Sequence, residues 1–224
     1  MAQQHARRAG PRSPANRFTS GGHIGRRRWA GTTFVVVDGL DGAGKDTVAG
    51  ILATLLAAKD RTVTVRTHPS SNVFGRLSRA ALLSRGPVAR LFATACFGFD
   101  ALTSTALLAH LLRRHDVVVF VRYLLSSAYL PDALARPVHD LFASFLPDAD
   151  LKVFVEARPD VAMARIQERA TGREMFENPA SLERVRQRAA GLLDATWVVL
   201  DNNGSLRATR AQVEGLLPRL TVGA

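Results

Sequence analysis

Cysteine is almost absent from this chain: Cys96 is the only one in 224 residues, and it sits inside an apolar run. A disulfide framework and a cysteine-built zinc site are therefore excluded within one chain. Such cysteine usage fits a cytoplasmic protein. Lysine is scarce as well. Lys45, Lys59 and Lys152 are the only lysines among 30 basic residues. A lysine in a glycine-rich loop then stands out, while any single arginine says little. Acidic residues are missing from residues 1–30, which carry Arg7, Arg8, Arg12, Arg17, Arg26, Arg27 and Arg28. The net charge is +11, and without those seven arginines the rest carries +4. The basic excess is mostly a tail, so a basic folded face for nucleic acid is not indicated. The tail, residues 1–31, also lacks the apolar stretch of a secretory signal. Its composition suits an organelle transit peptide, a nucleic-acid-binding arm or a disordered extension, and the last is the expectation. No internal repeat and no interdomain linker is visible.

A charge-free apolar run long enough to span a membrane is nearly present. Residues 91–112 carry a single formal charge, Asp100, near the middle, with Gly98, Thr103, Ser104 and Thr105 around it. An aspartate in lipid is costly. The segment is expected to be a buried helix that turns its polar groups to a ligand pocket, with no membrane partner.

What is there alternates. Apolar runs at Thr33–Asp38, Thr62–Arg66, Val117–Val121, Leu151–Val155 and Trp197–Leu200 read as strands. Helices are expected over Thr47–Lys59, Phe74–Ser84, about Val88–Arg114, Tyr123–Leu130, Val138–Leu146, Pro159–Arg169, Leu182–Leu193 and about Leu206–Leu217. Strands that are apolar throughout and separated by helices imply an α/β fold: a five-stranded parallel sheet with helices on both faces. One domain over residues 32–220 is expected. Ligands bind at the carboxyl ends of such strands. That rim holds Asp38, Arg66, Arg122 and Glu156.

The strongest local signal is Gly39-Leu40-Asp41-Gly42-Ala43-Gly44-Lys45-Asp46-Thr47, set after a strand and before a helix. Its glycines let the backbone approach an anion closely. Successive N–H groups and the helix N-terminus then point at phosphate oxygens, and Lys45 adds a mobile positive charge. A plain strand-to-helix turn would need neither three glycines nor the lysine. This is a phosphate-binding loop of the P-loop type, and ATP is the expected ligand. The residue after the lysine is normally Ser or Thr, whose hydroxyl ligates magnesium; here it is Asp46. A carboxylate is itself a good hard ligand for Mg2+. Asp46 should make nucleotide binding more strictly metal-dependent.

Phe34–Thr47 resembles the thymidylate kinase family of P-loop nucleoside monophosphate kinases, and the likeness runs over about residues 33–217. Val121-Arg122-Tyr123 with Ser126-Ser127-Ala128-Tyr129 is similar to the family's Asp-Arg-Tyr motif and its continuation. Pro147-Asp148 through Arg165 resembles the fourth strand and its helix, and Arg165, Arg169, Arg173 and Glu177 resemble the arginine-bearing lid, here about 165–180. The resemblance implies a transfer of the terminal phosphoryl of ATP to a small nucleotide acceptor, dTMP as the first choice, with a homodimer expected. It implies Lys45, Arg122, Arg169 and Arg173 as the catalytic cations. It places the acceptor against Asp41, Arg76, Phe92, Arg122 and Tyr123. Read as residues alone, Arg122 at the rim could instead pair with a nearby carboxylate, the lid arginines could be a solvated face, and Phe92 could be a core residue.

The departures are informative. Val121 stands where the family has a carboxylate near the metal, and Asp46 where it has a hydroxyl. The carboxylate is expected to have moved from the third strand to the loop. Cys96 stands where an arginine is expected to read the thymine edge, and Leu130 replaces a glutamine. His68-Pro69-Ser70-Ser71 replaces an arginine-bearing segment. Edge hydrogen bonds discriminate between bases and stacking does not. Three further readings stay open: a same-fold kinase with another phosphorylated acceptor, a non-catalytic nucleotide-binding regulator, and a nucleic-acid-binding protein acting through residues 1–30.

Overall fold

The first strand, β1 (Thr33–Gly39), is buried at every position from Phe34 to Asp38. Successive side chains point to opposite faces, so an unbroken buried run means that both faces are covered. A computed structural model describes residues 31–70, 72–82, 87–168 and 179–221. After β1 come α1 (Lys45–Ala57), β2 (Val63–Thr67), α2 (Val73–Leu82) and α3 (Pro87–Leu112). β3 (Val117–Val121) leads into a 3-10 turn, Leu125–Tyr129, and α4 (Asp132–Phe145). β4 (Leu151–Glu156), α5 (Pro159–Gln167), α6 (Pro179–Leu192), β5 (Trp197–Asp201), α7 (Leu206–Glu214) and α8 (Leu217–Thr221) complete the order.

The five strands form one parallel sheet in the order β2-β3-β1-β4-β5. In the central register, Val36 lies beside Phe120 and Lys152. Right-handed crossovers put α1 on one face and the helices leading into β3, β4 and β5 on the other. Phe34, Phe120 and Tyr123 meet edge to face, with ring centroids 5.1–5.6 Å apart. Lys152, an unusual residue for a central strand, is buried with partners. Its ammonium lies 3.1 Å from Asp148 and 3.8 Å from Asp194, over the Trp197 ring.

α3 is long and apolar, yet no helix of the described residues is long and apolar enough to cross a membrane. Its Asp100 is completely buried. The sequence suggested that this helix turns its polar groups to a ligand pocket. Instead Asp100 accepts the Ser70 amide at 2.6 Å and the Ser70 hydroxyl at 2.5 Å. Ser104 accepts Arg66 Nε at 2.7 Å and lies 2.8 Å from His68 Nε2. A buried carboxylate needs donors, and the segment after β2 supplies them. Burial also pushes the His68 pKa down.

The remaining differences from expectation are local. α4 begins at Asp132, earlier than expected, and passes through Pro137. Proline there deprives the Ala133 carbonyl of its donor, but Ala133 and Pro137 are both exposed and water can serve. The expected helix at Tyr123–Leu130 is the shorter 3-10 turn. The last helix is divided into α7 and α8 around Gly215.

Candidate functional site

The carboxyl end of β1 is where the chain's unusual backbone collects. Gly39, Gly42 and Gly44 all have positive φ. Gly42 illustrates why: at φ +77 it is disfavoured for other residues, and a Cβ would strike the Ala162 carbonyl. Gly44, at φ +89, is the N-cap of α1, and no side chain caps that end. The first N–H groups of α1 are thus left for a ligand.

Lys45 begins α1 and is only 3 % exposed. Its ammonium donates to the Leu40 carbonyl and stands 3.9 Å from the Asp41 carboxylate. Burial first, then the Arg122 charge, lowers its pKa to about 8; Asp41, Asp38 and Asp46 partly offset this. Arg122 follows β3 directly. Its Nη2 lies 2.5 Å from Asp41 Oδ1, so Asp41 sits between two cations. The ion pair foreseen as an alternative for Arg122 therefore exists, and it lies inside the loop. Arg122 also has φ +60, a left-handed conformation rare for any residue but glycine. Its N–H donates to the Val37 carbonyl at 3.1 Å.

Asp38 explains the turn after Arg122. Its Oδ2 accepts the amides of Tyr123, Leu124 and Leu125 at 3.1, 2.9 and 3.0 Å. One carboxylate oxygen thereby fixes where β3 ends and where the 3-10 turn begins. The turn brings Tyr129 back, and its hydroxyl accepts the Asp41 amide at 3.0 Å. Burial and the neighbouring Asp41 charge push the Tyr129 pKa well above its ordinary value. Burial pushes Tyr123 up to about 12. Both phenols are neutral donors and acceptors at any physiological pH.

Asp46 and Thr47 are exposed at the start of α1. Thr67, the last residue of β2, donates its hydroxyl to Asp46 Oδ1 at 3.2 Å. No group of three or more His, Cys, Asp or Glu among the described residues is arranged to hold a metal ion.

A thymidylate kinase family model matches residues 37–213. The thymidylate kinase of Xanthomonas campestris pv. campestris is 31 % identical over 201 residues, covering 87 % of this chain and 88 % of that protein. A probable thymidylate kinase of Archaeoglobus fulgidus is 27 % identical over 187 residues, with 82 % and 93 % covered. This chain belongs to the thymidylate kinase family. A solved thymidylate kinase structure from Candida albicans has the same fold, with a TM-score of 0.66 at 22 % identity over 84 % of this chain and 91 % of that one.

Against the family pattern, Val121 is fully buried in the sheet, and its neighbour Arg122 takes the rim. Cys96 and Leu130, which replace polar family residues, are both buried. Arg76 and Phe92 lie on exposed positions of α2 and α3, and Phe92 is 51 % exposed. Tyr123 packs in the aromatic core, with its hydroxyl 3.2 Å from that of Thr105. Arg169, Arg173 and Glu177 lie outside the described residues. Arg165 is described, and it points at the phosphate loop. Its Nη2 donates to the Asn202 carbonyl at 2.9 Å and its Nη1 to the Ala43 carbonyl at 3.4 Å. Sequence reading missed Tyr129, Asn202 and Thr209 as parts of this site. Only the first carried a signal, as the Ala-Tyr pair after Arg122.

Proposed function

We propose that this chain is an ATP-dependent nucleoside monophosphate kinase that moves the terminal phosphoryl of ATP to dTMP, giving dTDP and ADP. The observation that carries the reading is the pairing of Lys45, buried within the glycine loop, with Arg122 at the end of β3, on either side of Asp41. ATP phosphates lie on the amides of residues 39–47, where Lys45 leaves the Leu40 carbonyl for phosphate oxygens. Arg122 leaves Asp41 for the acceptor phosphate and the moving phosphoryl. Asp41 is then available to a hydroxyl of the acceptor sugar, with Arg76 and Phe92 on the acceptor side and the buried Tyr123 supporting it from the aromatic core. By family resemblance, Arg169 and Arg173 close from the lid. An acceptor phosphate oxygen is already nucleophilic, so no side chain needs to act as a strong base. Catalysis is positioning and charge neutralisation. Turnover is assigned to residues 32–220.

The family implies magnesium, and the donors at the loop suit it. Mg2+ takes one or two carboxylates, waters and substrate phosphates rather than an all-protein cage. Asp46 offers an exposed carboxylate beside the loop. When bound, Mg2+ would shield the phosphate charge. Converting Asp46 to serine is expected to abolish magnesium-dependent turnover, because Val121 leaves no carboxylate on β3 to compensate. Turnover of Asp46→Ser across a magnesium titration checks this, and full activity would refute it.

Buried Cys96 and Leu130 favour a second reading, the same chemistry with another nucleotide or phosphorylated acceptor. A panel of nucleoside monophosphates with ATP and Mg2+ decides between them. Tight ATP binding without turnover on any acceptor would favour a regulator instead.

A homodimer belongs to the same proposal. Phe74 stacks on Phe99 at 5.5 Å, and Leu102, one turn further along α3, is also exposed. A second copy is the natural cover for such a face. In sedimentation, Phe99→Glu should shift the chain toward monomer, and an unchanged mass would refute this placement. The buried free thiol of Cys96 suits a cytoplasmic setting.

A further inference from the structure

Beneath the phosphate loop lies a clamp built from the other end of the chain. The Ala43 carbonyl accepts Asn202 Nδ2 at 2.6 Å and, more loosely, Arg165 Nη1. Asn202 follows β5 and is 5 % exposed. Its amide cannot be turned round: its oxygen would then face the Ala43 carbonyl, which is acceptor only. With the nitrogen on Ala43, the amide oxygen accepts the Thr209 hydroxyl of α7 at 2.5 Å. The Asn202 backbone is held too, its N–H on the Glu156 carbonyl at 2.9 Å and its carbonyl on Arg165 Nη2. Gly44 completes the fit, because a Cβ there would strike Asn202 Nδ2.

The consequence follows from the planar trans peptide. The carbonyl of Ala43 and the N–H of Gly44 belong to one peptide unit and point in opposite directions. Holding the carbonyl outward on Asn202 aims the Gly44 N–H into the loop, where phosphate oxygens would be bound. We propose that Asn202, oriented by Thr209, is a positioning residue for polyphosphate binding: it sets the Ala43–Gly44 peptide of the phosphate loop without touching the nucleotide. This rests on the reading that the loop binds ATP.

The test is equilibrium binding of ATP, and of tripolyphosphate as competitor, to the full chain and to Asn202→Ala, Asn202→Asp, Thr209→Val and Thr209→Ser. Asn202→Ala leaves a buried carbonyl without its main donor and is expected to weaken ATP and tripolyphosphate about tenfold or more. Asn202→Asp turns an acceptor on Ala43 and should weaken both further. Thr209→Val should fall in the same direction by less, and Thr209→Ser should restore it. Melting should fall by only a few degrees, the cost of one unpaired carbonyl, and acceptor affinity should move little by comparison. If the parent chain does not bind ATP, the functional reading fails. If it binds ATP and Asn202→Ala binds within twofold, this inference alone fails. It is also overturned if ATP weakens while tripolyphosphate does not, since Asn202 would then contact the base. Equal losses of ATP affinity, acceptor affinity and melting temperature would overturn it as well, as a general loss of fold.

Discussion

An Arg122→Ala variant is expected to lose about 10³–10⁵ in turnover, the scale of an arginine that neutralises a transferring phosphoryl group. The size follows from position. Arg122 stands at the end of β3, and its guanidinium already lies against Asp41 within the loop, 2.5 Å away. Lysine should not restore activity, because an ammonium cannot span two phosphate groups as a planar fork does. The backbone supplies an internal control. At φ +60, Arg122 occupies a conformation that glycine adopts freely and alanine does not. Arg122→Gly should therefore be more stable than Arg122→Ala by about 1 kcal/mol and just as inactive. Steady-state turnover with ATP and the acceptor, beside denaturant unfolding of both variants, checks the pair. A kcat within tenfold of the parent in either would remove Arg122 from the chemistry.

The parts of this molecule that were legible in the sequence are those encoded locally. β3 runs over Val117–Val121, the apolar run itself, because a strand buried on both faces favours an unbroken apolar run. The loop was legible because three glycines and a lysine in a lysine-poor chain have few other uses. α4 was misjudged at its start because Pro137 reads as a boundary, while the helix in fact runs through it as its sixth residue and leaves the exposed Ala133 carbonyl to water. Asp100 was legible as a buried charge, but its partner was not: Ser70 lies thirty residues earlier, on the far side of α2. Tyr129 reaches back 88 residues to Asp41, and Asn202 reaches back 159 to Ala43. A lone asparagine or tyrosine carries no periodicity, and such pairings are fixed only once the parallel sheet has brought the strand ends to one rim.

That rim also explains how the loop holds so many charges together. Asp41 lies between Lys45 and Arg122, and Asp38 is spent on three amides. One carboxylate thus holds two cations at the place where phosphates are proposed to enter. Arrival of ATP and an acceptor phosphate would exchange Asp41 for stronger anions with little rearrangement of the cations, which is the preorganisation that phosphoryl transfer requires.

Lys45 is where that arrangement costs stability, and replacing it gives the second large effect. Its pKa is about 8 in the folded chain, below the ordinary 10.5, chiefly because it is buried. Between those values the unfolded chain holds a proton that the folded chain has shed. Stability should therefore rise with pH from about 8 to 10.5, and the cost of burying the charge is fully present below 8. The shift corresponds to about 3 kcal/mol. Lys45→Met should remove that cost, so without nucleotide it should melt no lower than the parent at pH 7. The difference should fade as the pH approaches 10.5. The same substitution should lower turnover by about 10²–10³, as loss of a donor aimed at developing charge does. ATP binding to the free parent chain should weaken as pH rises through about 8, since the neutral amine no longer balances phosphate. Bound phosphates raise the lysine's pKa again. Turnover at saturating ATP should then hold to higher pH than kcat/KM for ATP. Melting curves from pH 7 to 10.5, with both kinetic profiles over the same range, test the argument. An ATP affinity flat across that range, or a Lys45→Met variant that is both inactive and markedly less stable, would show that Lys45 is a structural cation.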